Sequence, residues 1–317
     1  MISKEFSLSE SDIYFYKKTG FLKLKNFFSK ETIEYMTKLT NSEVSKPEGN
    51  YGSGFSKYKY DIGNDDKFIL SMMQDKKFSS AIQSLTQKKV FFTQGLGFEL
   101  EKNKSSGFPW HVGTQSFGFQ QIDDYGFTIW TPLCKIDSKN QRGGMAYIPT
   151  DVLSGRFIYQ HINMLPKFMK SKIESDKEYK FEDFSNLKNS LLNSKEMSEL
   201  LDFYAIEDDF ELGDTFIFDK YVLHRSVKLE DGELDSRLAY ALRFSSVDAT
   251  YDKQRVLNLD YPRKLFNYDV SSEFNDAVCS LDQENIFNSN YFDKDREQRV
   301  VFSFEPKPTE ELEPSTI

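Results

Sequence analysis

From residue 88 to residue 150 the chain is built of short runs, among them KKVFFTQGLGFELEK, GFTIWTPLCKI and GGMAYIPT, rich in aromatic and β-branched side chains and bounded by Gly, Asn and Asp. Such side chains suit a half-buried pleated surface, so these runs predict β-strands. Strands are predicted again at DTFIFD, SVKLE and SRLAYALRFSSVDATY. Between the two groups, at about 151–208, the pattern turns charged and helical, as in FEDFSNLKNSLLNSKEMSELLDFY. A β core interrupted by one long helical insert predicts a mainly β protein with flanking helices. The expected form is a barrel or jelly roll whose insert covers the mouth as a lid.

The N-terminal part is predicted to be helical. Ser9 is a candidate N-cap with Asp12 at the third helical position, and Gly20 stops the helix. FLKLKNF is extended, Ser29 caps a second helix over ETIEYMTKLT, and residues 66–87 form a third helical region. Residues 255–300 read as mixed loop and helix. With no internal repeat or central linker, residues 1–303 are expected to form one domain, with a disordered Pro- and Glu-rich tail at 304–317. A net charge of −9 argues against general nucleic-acid binding, since there is no basic excess to displace counterions. No apolar run approaches the length of a membrane helix and the N-terminus has no hydrophobic signal core, so a cytoplasmic protein is expected. Cys134 and Cys279 are too few for a disulfide framework or a cysteine-rich zinc site.

Metal chemistry based on histidine must draw on His111, His161 and His224, the three in the chain. His111 and His224 each lie on or just after a β-like run, where a neutral imidazole can ligate a metal at a barrel mouth. His161 lies in the insert, in QHINM, with no carboxylate at ligand spacing. Arg237 and Arg243, in SRLAYALRF, share one face of a strand by alternation, while Leu238, Tyr240 and Leu242 share the other. Two cations on an inward face demand an anion, and a bidentate carboxylate suits such an arginine. An exposed strand with solvated arginines is the plainer alternative. Thr128 and Trp130 share a face of FTIWTPL, where core packing is the commoner fate of a Trp, and Asp214 is assigned to the turn before DTFIFD.

The order YKKTGFLKLKNFFS, WHVG, FTIWTPL, GGMAYIPT, GDTFIFDKYVLHRS and a strand bearing Arg resembles the iron(II)/2-oxoglutarate oxygenases of the phytanoyl-CoA hydroxylase type. That resemblance implies a double-stranded β-helix, a cupin-like jelly roll with iron(II) at one mouth. The chain departs from the hydroxylases at Gly113, where they carry a carboxylate two residues after the first histidine. Glycine cannot ligate iron, which opens a coordination position to an external anion. In this the chain resembles the radical halogenases of the syringomycin type. The resemblance implies His111 and His224 as metal ligands, with 2-oxoglutarate held by Arg237 and lined by Trp130. Arg237 is chosen over Arg243 because its offset from the histidine is the usual one. Thr128 and Arg243 would order the surroundings of a chloride or bromide in a pocket formed by Gly113, Ser116 and Phe117. O2 would be consumed, succinate and CO2 released, and an unactivated aliphatic C–H chlorinated.

Two alternatives stand beside that expectation: a hydroxylase, desaturase or cyclase with an atypical site, and a non-catalytic binding protein of the same fold. The expected partner is a small molecule, amino-acid-derived substrates included, and neither nucleic acid nor membrane. A carrier-tethered substrate is disfavoured by the acidic charge, although Lys167, Lys170 and Lys172 could form a local docking patch.

Overall fold

A computed structural model of the chain describes residues 1–45, 55–113, 116–161, 163–175, 179–266, 273–279 and 284–301; the tail at 304–317 lies outside them. Helix α1 (Glu10–Thr19) opens on a capping box, in which Ser9 accepts from the Asp12 N–H and the Ser9 N–H donates to the Asp12 carboxylate at 2.9 Å. It ends at Gly20, whose φ of 78° favours glycine. Helix α2 (Lys30–Val44) is capped by Ser29. The region 66–87 forms two helices, α3 (Lys67–Met73) and α4 (Lys76–Thr86), because Asp66 and Asp75 each cap a separate start.

Nine strands follow in two sheets among the described residues: β1 (Phe21–Leu24), β2 (Lys57–Tyr60), β3 (Val90–Glu101), β4 (Gly126–Pro132), β5 (Met145–Ile148), β6 (Ile206–Glu207), β7 (Thr215–Asp219), β8 (Leu223–Ser226) and β9 (Ser236–Ser246). The larger sheet runs β1-β7-β4-β9-β3-β2 and the smaller β6-β5-β8, with every pairing antiparallel. The fold is the expected jelly roll with flanking helices. One strand expectation needs correction, and one strand is added. SVKLE is not a strand: β8 comes earlier and ends at Ser226, where its partner β5 begins at Met145 and the ladder runs out. Strand β2 was not anticipated; it is a four-residue edge strand, too short for periodicity to show.

Strand β9 shows how the sheet divides the core. Leu238, Tyr240, Leu242 and Phe244 pack outward with Ile33, Met36 and Ile69 of the N-terminal helices. Ala239 and Ala241 face inward with Leu96, Phe98 and Trp130. The alternation predicted from the sequence is the one observed. The insert forms α5 (Arg156–His161), α6 (Leu165–Ser175), α7 (Phe181–Asn193) and α8 (Lys195–Tyr204). The C-terminal region adds α9 (Lys253–Phe266), which packs on α6, and α10 (Glu273–Cys279). No described helix is long and apolar enough to cross a membrane.

Candidate active site

His224 lies on β8, and His111 meets it as an isolated antiparallel bridge that extends the smaller sheet. The two rings are 4.1 Å apart between centroids. His111 Nδ1 lies 2.7 Å from the Pro109 carbonyl oxygen, and His224 Nδ1 lies 2.8 Å from that of Val222. A carbonyl can only accept, so Nδ1 carries the proton on each ring and Nε2 keeps its lone pair. Burial pushes the His111 imidazole down to about 4, with Arg243 adding to the effect. His224 is pushed down by burial and by His111. Both are neutral near pH 7, the state in which imidazole ligates a metal. Among the described residues no group of three or more His, Cys, Asp or Glu converges as a metal site. Among those residues the histidine pair therefore has no carboxylate companion. His161 sits at the end of α5, outside the residues that line the cavity beside the pair.

That cavity encloses about 580 Å³ including its open mouth. His111, Gly113, Ser116, Phe117, Thr128, Trp130, His224 and Arg243 all line it, as do Leu96, Phe98, Phe108 and Phe218. Strand register explains the convergence. Phe218, Thr128, Arg243 and Gln94 form one row across β7, β4, β9 and β3, while Phe216, Trp130, Ala241 and Leu96 form the next. Gln94 was not singled out from the sequence. Its signal is there, as the polar residue at inward parity with Leu96 and Phe98 on β3.

Arg237 lies further along the inward face of β9 than Ala241 and Arg243, which line the cavity. It is absent from the cavity lining and lies behind it, 0% exposed, with its guanidinium 5.5 Å from the ring centroids of both Trp130 and Phe98. Its Nε donates to the Gly143 carbonyl at 2.6 Å, but Nη1 and Nη2 have no partner. Trp130 Nε1 is likewise buried and unpartnered. Desolvation pushes the Arg237 guanidinium down to about 10, so it remains a cation near neutrality. Arg243, 8% exposed, donates through Nη1 to Gln94 Oε1 at 2.9 Å, while its buried Nε has no partner. Neither arginine forms an ion pair among the described residues.

Gly113, Ser116 and Phe117 line the cavity together, and the space beside the glycine is tight. A Cβ built there would lie 2.8 Å from the Phe117 ring and 3.2 Å from both Cα and Cβ of Lys220. Phe117 thus occupies much of the space beside the glycine. Lys220, missed from the sequence because nothing in DKY marks it, is 2% exposed and donates to the Gln121 carbonyl at 2.9 Å. Its ammonium lies 4.6 Å from the centroid of the Tyr159 ring, and Tyr159 OH donates to the Phe117 carbonyl. Tyr159 of α5 in the insert thus holds Phe117 and Lys220, two residues of the cavity wall. None of the insert's described residues is among those that line the cavity. Asp202 of α8 ties the insert to the sheet, accepting from Trp110 Nε1 at 3.0 Å and Arg225 Nε at 2.9 Å. Asp214 has the structural role expected of it, accepting from the Asn26 and Glu211 N–H groups. Lys167, Lys170 and Lys172 are exposed on α6.

The chain matches no family profile, and no curated protein matches its sequence. Solved structures do share its fold. The non-heme alpha-ketoglutarate-dependent carbocyclase SnoK from nogalamycin biosynthesis is 14% identical, with a TM-score of 0.56 over 77% of this chain and 87% of that one. The epimerase SnoN, in complex with Fe3+, alpha ketoglutarate and nogalamycin RO, is also 14% identical, with a TM-score of 0.56 over 87% and 93%. EctD from S. alaskensis is 11% identical, with a TM-score of 0.53 over 80% and 83%. The chain thus has the jelly-roll fold of these proteins, and at such identities the likeness is one of fold.

Proposed function

We propose that this protein is an iron(II)/2-oxoglutarate-dependent halogenase that replaces an unactivated aliphatic hydrogen of a small molecule with chlorine or bromine. The observation that carries the proposal is a pair of buried guanidiniums beside two neutral histidines, with no ion-pair partner for the former and no carboxylate companion for the latter among the described residues. Buried cations of this kind are costly unless anions meet them, and two anions are needed here. The distal carboxylate of 2-oxoglutarate would supply one and a halide the other. SnoN's complex with iron and alpha ketoglutarate shows that this fold accommodates both in one protein.

His111 and His224 would hold the metal through Nε2, with the Pro109 and Val222 carbonyls orienting the rings. Bound iron(II) supplies activation of O2, coupled to decarboxylation of the co-substrate. Arg237, through Nη1 and Nη2, and Trp130, through Nε1, would take the distal carboxylate. Their unsatisfied donors lie together in a dry part of the core, where a charge-assisted bond is strongest. Arg243, Thr128, Gly113, Ser116 and Phe117 would surround the halide. Leu96, Phe98 and Phe218 exclude water from the reacting carbon. The sum balances: substrate C–H, chloride, O2, 2-oxoglutarate and a proton give substrate C–Cl, succinate, CO2 and water.

The crowding of Gly113 by Phe117 favours a second reading, in which no halide enters and the same site hydroxylates, desaturates or cyclises. One assay separates the two. The protein is loaded anaerobically with iron(II), 2-oxoglutarate and chloride and mixed with a metabolite extract. After O2 is admitted, succinate and new products are followed by mass spectrometry. Succinate with a chlorinated product is expected. Succinate with products gaining only oxygen, or losing only hydrogen, supports the second reading, and a protein that binds no iron sinks both.

A further inference from the structure

Arg243 is held by a chain of side chains that reaches from the cavity to the C-terminal helix α10. Gln94 Oε1 accepts from Arg243 Nη1 at 2.9 Å, and Gln94 Nε2 donates to Asp61 Oδ1 at 3.1 Å. Asn64 Nδ2 donates to the same Asp61 oxygen at 3.0 Å. The other Asp61 oxygen accepts the backbone N–H of Glu273, the first residue of α10, at 2.8 Å. An ionised carboxylate only accepts, so the amide group of Gln94 must turn its NH2 to Asp61. Its carbonyl oxygen is then committed to Arg243. The guanidinium is aimed by a neutral dipole rather than by a charge, and among the described residues no carboxylate pairs with it in the cavity wall.

We infer that Gln94, oriented by Asp61, is the positioning residue that keeps Arg243 available to a small monovalent anion in the cavity. Naming that anion as a halide rests on the proposed function. The placement of Gln94 does not. It follows from register, because the irregularity between Phe92 and Gln94 in β3 sets Gln94, rather than Thr93, opposite Arg243. Thr93 is left to donate its hydroxyl to the Arg243 carbonyl at 3.0 Å. A carboxylate at position 94 would pair with Arg243 internally, and an external anion would then have to displace it.

A charge swap tests this without changing net charge, at the loss of the bond that Asn64 Nδ2 donates to position 61. In D61N/Q94E the acid moves from position 61 to position 94, and the new amide at 61 donates to it. Chloride binding to the metal-free protein is followed by chloride-35 NMR line broadening, which requires no turnover, with Arg243→Gln as reference. The expected result is at least a ~tenfold weaker chloride interaction in D61N/Q94E, as low as in Arg243→Gln. Iron(II) binding should be unchanged. Gln94→Met, which removes the dipole without adding charge, should weaken chloride as well and covers the case in which the double variant does not fold. Wild-type chloride broadening in either folded variant overturns the inference. Formate is the competing arm: displacement of chloride by an equal concentration of formate would assign the site to a substrate carboxylate and overturn the halide assignment. A protein whose chloride binding depends on Gln94 but which forms no chlorinated product sinks the halogenase reading alone.

Discussion

His111 and His224 face each other across one antiparallel bridge, each donating its backbone N–H to the other's carbonyl, at 2.9 Å from His111 and 3.0 Å from His224. The same two residues that would ligate a metal thus also join the proximal segment to the smaller sheet. Replacing a side chain leaves that backbone link intact, so function and folding can be separated at these positions.

His111→Ala and His224→Ala should each fold and each lose iron(II), by more than the ~10–100-fold typical of losing an outer-shell partner. His161→Ala should bind iron as the wild type does. Calorimetric titration of the anaerobic proteins reads all three, and loss of iron in His161→Ala would overturn the choice of ligands.

Arg237→Met should have opposite effects on stability and on binding. Without co-substrate the buried guanidinium has two unpaired groups, so an apolar replacement should leave the melting temperature unchanged or raise it. 2-Oxoglutarate, which stabilises the wild type through linkage, should lose about 2–5 kcal/mol of binding. Thermal unfolding with and without 2-oxoglutarate measures both. A variant still stabilised normally by the co-substrate would show that Arg237 is not its partner.

Gly113→Asp should suppress chlorination, any surviving turnover being hydroxylation, because a carboxylate would fill the open metal position. It should also destabilise the fold by ~1–3 kcal/mol, since its Cβ would meet the Phe117 ring at 2.8 Å. Gly113→Ala serves as the steric control, and Phe117→Leu in the same chain should restore stability without restoring chlorination. Product mass spectra and urea unfolding report the two effects separately. Continued chlorination by Gly113→Asp would show that the halide lies elsewhere.

Lys220 should impose a pH dependence of stability. Burial pushes its ammonium down to about 7 from 10.5, against the opposing pull of Asp124 and Asp219. Between those values the unfolded chain binds the proton that the folded chain releases, so stability rises with pH across the window and is flat in this respect below about 7. In Lys220→Met this contribution disappears, and the variant's advantage at pH 7 should shrink by ~1–3 kcal/mol on moving to pH 10. Parallel urea-unfolding profiles for the two proteins would refute the assignment.

Much of this protein was legible along the chain because the signals are local. The Ser9 and Ser29 caps, the Gly20 stop, the aromatic strands and the alternation that sends Arg237 and Arg243 inward each depend on neighbours a few positions away. The histidine pair emerged by scarcity. Phe117 was assigned to the pocket with Gly113, but the close approach of its ring and of Lys220 to the glycine escaped that reading, because local patterns do not show how a loop folds back. The insert escaped too: its pattern is plainly helical, yet only packing reveals that Tyr159 holds Phe117 and Lys220.

The sequence by itself determined a β core with flanking helices, two candidate ligands and two inward-facing arginines, since period and spacing are properties of a strand. The tertiary structure alone decided which groups meet. It set Gln94 opposite Arg243, left buried donors of Arg237 and Trp130 unpaired, and brought the Phe117 ring against Gly113. Those facts depend on register between strands distant in sequence, where one step of slip turns every side chain to the other face.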